Sequence, residues 1–238
     1  GDMHYWDVWH GNKPFTEYLN IRPRFASEFG FQSFSSPELM NNVVPPEERS
    51  IDSETFEFHQ RSHGGNTTIL AHIAQHFRVP MCYEGMLYVS QALQALSIKT
   101  ACEHWRRLKP YTMGALYWQL NDIWPVASWS SLEADGRWKM LHYYSRKFFA
   151  PLLVSTAESE GAVEVWATSD VQRRLSLTYH VVLRDFDGAA QFEDGGAIRL
   201  APLESKCIAR YPVAALCDDE GKTKRCYLRV SLAGEGCH

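Results

Sequence analysis

The sequence predicts an α/β segment followed by an all-β segment, and three observations lead there. Between residues 24 and 149 helix-like and strand-like stretches alternate in the order helix, strand, loop, helix, which is the rhythm of a parallel α/β unit. Beyond Pro151 the pattern changes to short runs of alternating apolar and polar residues separated by Asp-Gly and Gly-Gly turn signals, as in a small β-sandwich. The aromatic content shifts at the same place: of the 8 tryptophans, all but Trp166 precede residue 150. A boundary near residue 150 therefore divides the chain into 1–150 and 151–238.

Each element has its own justification. Arg24 to Phe31 reads as a strand entering an aromatic loop. Ser36-Pro37-Glu38 has the form of a helix start, with serine as N-cap and proline at the first helical position. Ser53 to Arg61 and Thr67 to Phe77 read as short helices separated by Gly64-Gly65. A long helix is expected from Tyr83 to Leu108, because Met86, Leu87, Val89, Leu93, Leu96 and Ala101 recur at helical spacing, and Pro110 closes it. Met113 to Leu120 reads as a buried strand and Trp138 to Phe149 as an amphipathic helix stopped by Pro151. In the last third, 163–167, 175–179 and 227–231 alternate as strands, with turns expected at Asp187-Gly188, Asp194-Gly195-Gly196 and Glu220-Gly221.

Composition excludes several functions. Hydrophobic residues make up 45% of the 238-residue chain, and its 12 Phe, 11 Tyr and 8 Trp are far too many for a disordered chain. A net charge of −4 with no long run of like charges points away from nucleic acid and from anionic membranes. No apolar run approaches the 18 or so residues of a membrane span. The first residues, Gly1 to Trp6, carry no basic or apolar leader and begin as if in mid-domain. The 6 cysteines include no C-x-x-C pair. Reduced thiols are expected, with Cys217 and Cys226 the one pair placed to face each other across a turn. Asn66-Thr67-Thr68 fits a glycosylation acceptor, a triplet that is common by chance. His59 with His63, and His72 with His76, are spaced i, i+4, yet no H-E-x-x-H accompanies them. They are expected to be surface helix residues rather than zinc ligands.

Three segments carry the chemistry. In Ser27-Glu28-Phe29-Gly30-Phe31-Gln32-Ser33-Phe34, a glutamate stands at the end of an apolar strand among phenylalanines. A carboxylate there requires hydrogen bonds or a nearby positive charge. Glu28 is therefore either a catalytic carboxylate or one member of a structural pair with Arg22 or Arg24. Gly114-Ala115-Leu116-Tyr117-Trp118-Gln119-Leu120-Asn121-Asp122-Ile123-Trp124-Pro125 is a second strand running into aromatics and amides, with Trp129 and Trp138 beyond. Flat aromatic faces stack on the C–H faces of sugars while amides and carboxylates bond hydroxyls, so this mix suits a carbohydrate site; a tryptophan-rich core seam is the bland alternative. His4-Tyr5-Trp6-Asp7-Val8-Trp9-His10-Gly11 has the same character.

In order and spacing these strings resemble the β-mannosidases of glycoside hydrolase family two, and the resemblance runs over essentially the whole chain. Ser-Glu-Phe-Gly-Phe-Gln and Tyr-Trp-Gln-Leu-Asn-Asp favour the mannosidase branch over the galactosidase and glucuronidase branches. The resemblance implies that 1–150 is the C-terminal portion of a (β/α)₈ barrel, with its seventh and eighth strands, and that 151–238 is an immunoglobulin-like β-sandwich. It implies that Glu28 is the nucleophile of a retaining exo-β-mannosidase, that Trp118 forms an aromatic wall of the mannose subsite, and that Trp9 and His10 border that subsite. It implies no cofactor and no metal. The partner it implies is a β-mannoside oligosaccharide or glycoconjugate.

One departure is large. A retaining glycosidase needs a second carboxyl about 5–5.5 Å from the nucleophile as general acid/base. In the family this glutamate follows an asparagine, and no Asn-Glu dipeptide occurs in the sequence. Asp7 and Asp122 are near the nominated residues without that context. A complete barrel takes about 250 residues, so the chain is expected to be part of a larger enzyme whose N-terminal portion supplies the rest of the barrel. On that expectation the 238 residues alone are inactive, Glu28 lies open to solvent, and both barrel strands have an unpaired or exposed flank. The alternatives are another family-two glycosidase specificity, or an inert carbohydrate-binding piece.

Overall fold

The computed structural model describes residues 1–217 and 220–234, in two compact units. The first comprises Gly1–Trp105 with Thr112–Phe149, the second Arg106–Tyr111 with Ala150–His238.

A three-stranded parallel sheet organises the first unit: β1 (Asp2–His4), β2 (Phe25–Gly30) and β3 (Ala115–Trp118), in the order β1-β2-β3. β1 was not anticipated, since three residues are too few to display a period. With it β2 is paired on both edges, although its Phe25 is exposed, while β3 lies at the edge of the sheet. The helices are α1 (Pro37–Met40), α2 (Glu54–Phe58), α3 (Gly65–His76), α4 (Tyr83–Arg107) and α5 (Met140–Phe148). Ser36 and Ser53 cap α1 and α2 by accepting the N–H of Leu39 and Phe56 at 3.4 and 3.2 Å. Gly64 enters α3 at φ +65°, a conformation that costs glycine little. α5 begins two residues later than expected because Trp138 is still bridged to Leu132.

One face of the sheet is packed. Phe29 meets Trp105 of α4 edge-on at 4.7 Å, and Tyr18 contacts both rings at 5.9 and 5.7 Å. Burial pushes the Tyr18 hydroxyl well above the usual tyrosine range. Gln94, on α4, donates to the carbonyls of Phe31 and Ser130 and accepts from Ser33 Oγ at 2.8 Å, which ties the segment after β2 to the segment after β3. The opposite face is bare. Phe25, Leu116 and Trp118 are exposed there, Leu116 at 58%. β3 is thus half-exposed, not buried as its sequence suggested.

The second unit is two antiparallel sheets of three strands. β4 (Leu152–Ser159), β5 (Ala162–Ser169) and β8 (Ser205–Pro212) form one in the order β4-β5-β8. β7 (Ala190–Leu200), β6 (Leu175–Asp185) and β9 (Cys226–Gly234) form the other in the order β7-β6-β9. Their shared core holds Ala167, Leu175, Leu177 and Leu200, with Leu152, Val171, Ile198, Ile208 and Leu232 against it. Glu160 and Gly161, both at positive φ, make the two-residue turn between β4 and β5. The turn expected at Asp187-Gly188 is present, with Gly188 at φ +94°. The one expected at Asp194-Gly195-Gly196 is not: these residues lie inside β7. A Cβ on Gly195 would stand 2.7 Å from the Tyr179 carbonyl oxygen, so the glycines there allow a close approach between strands. Glu220-Gly221 opens a short helix, α7 (Glu220–Thr223), after α6 (Val213–Leu216), and is not a turn. Neither Cys217 nor Cys226 is in a disulfide.

Among the described residues no helix is long and apolar enough to cross a membrane. Asn66 is buried, accepting from Gln60 Nε2 at 3.0 Å and donating to Glu57 at 2.7 Å, so it is an interior amide and not an exposed acceptor. The histidines are not surface residues as a group. His72 is fully buried, and burial pulls it down to about 4. His59 stacks on Trp124 at 5.1 Å, with its Nδ1 2.6 Å from the Pro125 carbonyl.

Candidate active site

Glu28 sits at an irregularity in β2. Met3 and His4 are consecutive in β1, yet they pair with Ala26 and Glu28; Ala115 and Tyr117 of β3 pair with Ala26 and Phe29. β2 therefore carries one residue more than either neighbour across Ser27–Glu28. Bulges of this kind re-aim a side chain next to active sites. Because of the extra residue, Ala26 and Phe29 both remain on the packed side, and both are fully buried.

The Glu28 carboxylate accepts a hydrogen bond from Trp6 Nε1 at 2.7 Å, and His4 Nδ1 lies 3.7 Å from the same oxygen. The Glu28 carbonyl accepts from the Tyr5 N–H at 2.8 Å, which fixes the backbone beneath the side chain. The side chain is 27% exposed: half-buried, not open as expected. Trp6 did not stand out in the sequence from its neighbours in the aromatic string; only the tertiary fold brings its indole N–H to the carboxylate. Beside Glu28, Ser27 Oγ donates to Asp2 at 2.6 Å and holds that carboxyl below its usual range.

Gly30 is the space that lets the aromatic residues converge. It pairs with Trp118 across the sheet. A Cβ there would stand 2.5 Å from the Trp118 carbonyl oxygen, 2.9 Å from Trp6 Cη2 and 3.1 Å from Trp129 Cδ1. Trp118 ends β3 with its ring 45% exposed. Trp6 and Trp129 are edge-to-face at 6.1 Å. His10 is exposed, 5.1 Å from Trp6 and 6.4 Å from Trp129. Trp9, expected to border the sugar, is 2% exposed, stacked on His72 at 5.8 Å and edge-on to Phe31 at 5.3 Å. It is a packing residue under the cluster. The structure thus gathers Glu28, Trp6 and Trp129 about Gly30, with the Trp118 backbone paired alongside and His10 at the rim.

The other two carboxylates that the sequence offered are engaged elsewhere. Asp7 is exposed and pairs with Lys13 at 2.9 Å. Asp122 is buried and accepts from Ser128 Oγ at 2.8 Å and Ser130 Oγ at 2.5 Å, with Lys139 Nζ at 3.9 Å. Burial pulls Lys139 down, while Asp122 and Glu133 push it back up. Among the described residues no group of three His, Cys, Asp or Glu is placed to hold a metal ion.

The chain resembles known proteins along its whole length. Residues 161–237 match the family described as the Mannosidase Ig/CBM-like domain. The β-mannosidase of Rattus norvegicus is 38% identical over 198 residues, which cover 76% of this chain and 22% of that protein. The probable β-mannosidase of Caenorhabditis elegans is 33% identical over 67% of this chain and 21% of its own. In the crystal structure of the β-D-mannosidase from Dictyoglomus thermophilum, a region matching 100% of this chain and 29% of that one aligns with a TM-score of 0.90 and 30% identity. The exo-chitosanase CsxA of Amycolatopsis orientalis shares the fold, with a TM-score of 0.74 at 14% identity. The chain spans 22% to 29% of the length of these mannosidases from rat and Dictyoglomus. Fold and sequence together relate it to the glycoside hydrolases. More narrowly, it is a relative of the β-mannosidases of glycoside hydrolase family two.

Proposed function

We propose that this chain carries the nucleophile side of a retaining exo-β-mannosidase active site. The observation that supports the reading best is Glu28 itself: a carboxylate re-aimed by a bulge near the end of a parallel strand, held by an indole N–H, with the exposed Trp118 ring on the neighbouring strand. C-terminal ends of parallel strands are where α/β sheets and barrels build their sites. In this reading Glu28 attacks the anomeric carbon of a terminal β-mannose, the aglycone departs, and a covalent mannosyl-enzyme forms. Water then attacks the same carbon, so the configuration is retained and Glu28 is freed. Trp118 offers its face to the sugar ring and His10 borders the opening.

The bare face of the sheet supports a part of a (β/α)₈ barrel. Parallel sheets are normally covered on both faces, and here Phe25, Leu116 and Trp118 on one face are exposed among the described residues. The remaining strands and the general acid/base are then contributed by the rest of a longer enzyme, and the 238 residues alone do not turn over substrate. Two measurements on the full-length protein test this. A panel of nitrophenyl glycosides should show preference for the β-mannoside. A 2-fluoro-mannoside that traps the glycosyl-enzyme should modify Glu28. Labelling of another residue sinks the assignment, and preference for another sugar moves the chain to a different specificity on the same scaffold.

A further inference from the structure

A recess lies outside the Glu28 cluster, between the start of α1 and the 133–137 turn. Ser36, Glu38, Gly136, Arg137, Trp138 and Tyr143 line it, and it measures about 510 Å³, within the roughly 300–1,000 Å³ of small-ligand sites. Its walls are built firmly. Trp138 is bridged to Leu132, and Glu133 accepts from both the N–H and the hydroxyl of Ser36, at 2.5 and 2.7 Å. Arg137 is held by Asp135 at 3.2 Å. The Trp138 ring rests on His142 at 4.5 Å; His142 Nδ1 lies 3.0 Å from Ser131 Oγ, which in turn is 2.7 Å from the hydroxyl of Tyr117, the residue before Trp118. Even so, the two rings that face the recess are exposed, Trp138 at 40% and Tyr143 at 56%, with centroids 5.0 Å apart and planes 59° apart. Arg146 lies 5.9 Å over Trp138.

Two inclined aromatic faces beside one carboxylate and one guanidinium do not fit an anion, since Glu38 offsets Arg137, and they do not fit a purely apolar chain, since polar groups share the wall. They match a neutral polyhydroxyl ring: C–H faces against the aromatics, hydroxyls to Glu38 and Arg137. We propose that this recess is a second carbohydrate-binding site, for an internal stretch of a β-linked mannan chain, separate from the Glu28 cluster. It rests on the mannosidase reading for the identity of the sugar.

Affinity electrophoresis of the full-length protein in gels containing soluble β-mannan tests it, with Glu28→Gln in every lane so that the polymer survives. The parent should be retarded, and both Trp138→Ala and Tyr143→Ala should weaken the apparent affinity about 3–10-fold, the effect of one lost aromatic contact. Trp138→Phe should recover part of the loss. Tyr143 is mostly exposed, so its variant reports even if Trp138→Ala fails to fold. Absence of retardation in the parent, or retardation unchanged by Tyr143→Ala and Trp138→Phe, overturns the proposal. Nitrophenyl β-mannoside hydrolysis with Glu28 intact is measured separately. Its failure removes the mannosidase reading, while retardation that depends on Tyr143 would still establish the binding site.

Discussion

The indole N–H of Trp6 donates to the carboxylate of Glu28 at 2.7 Å across 22 residues of sequence. A hydrogen bond to a charged acceptor is worth about 1.5–3 kcal/mol, and this one also sets the direction of the carboxylate. Trp6→Phe in the full-length protein should keep the ring and lose the donor. The expected result is a 10- to 100-fold fall in the rate of mannosyl-enzyme formation with the 2-fluoro-mannoside, at nearly unchanged thermal stability. An unchanged rate would make the contact incidental.

Trp118 and Trp9 should respond oppositely to truncation. Trp9→Ala removes a ring that is 2% exposed and should destabilise by about 3–5 kcal/mol in urea unfolding. Trp118→Ala removes a half-exposed ring, should change stability by less than about 1 kcal/mol, and should lower kcat/KM for β-mannosides. Reversed ranks would exchange the roles of the two tryptophans.

Gly30→Ala forces a methyl group to within 2.5 Å of a backbone oxygen and 2.9 Å of Trp6. Overpacking of this kind costs about 1–3 kcal/mol. Because Trp6 is one of the atoms' owners, activity should fall by more than stability alone accounts for, measured at a temperature where the variant is fully folded.

His72 gives a pH prediction. Burial lowers its folded-state value to about 4 from an ordinary value near 6.5. Its neutral form is the one that fits, so its contribution is intact above about pH 6.5 and is lost as pH falls from there towards 4, by up to about 3 kcal/mol. His72→Phe should flatten the acid side of the stability curve over that window, read as urea midpoints at pH 7 and pH 4.5. Equal acid sensitivity in both proteins would show that other groups dominate.

The sequence made the helices legible because their signals are local: Ser36 and Ser53 are caps before their helices, and the apolar spacing in α4 recurs from Met86 to Ala101. The alternating strands 163–167, 175–179 and 227–231 appeared for the same reason. What escaped it is non-local. β1 is too short to show a pattern and exists because β2 pairs with it. Gly195 and Gly196 have turn composition, yet the nearness of Tyr179 places them in a strand. Glu28, Trp118 and His10 could be named from motifs, but the burial of Trp9 and the reach of Trp6 depend on how three distant segments pack. The same holds for Asn66, whose triplet reads as surface chemistry while its side chain completes an interior network with Glu57 and Gln60.

The extra residue in β2 has an evolutionary consequence. Ala26 and Phe29 anchor the strand to its packed side, and the position of Glu28 depends on the number of residues between them. Removing Ser27 would let β2 run in step with β1 and β3, and the pleat would then place the glutamate on a different side of the chain relative to those anchors. A single-codon deletion here acts like a frameshift in space. The lineage of this site should therefore show strict intolerance to changes of length between Ala26 and Phe29.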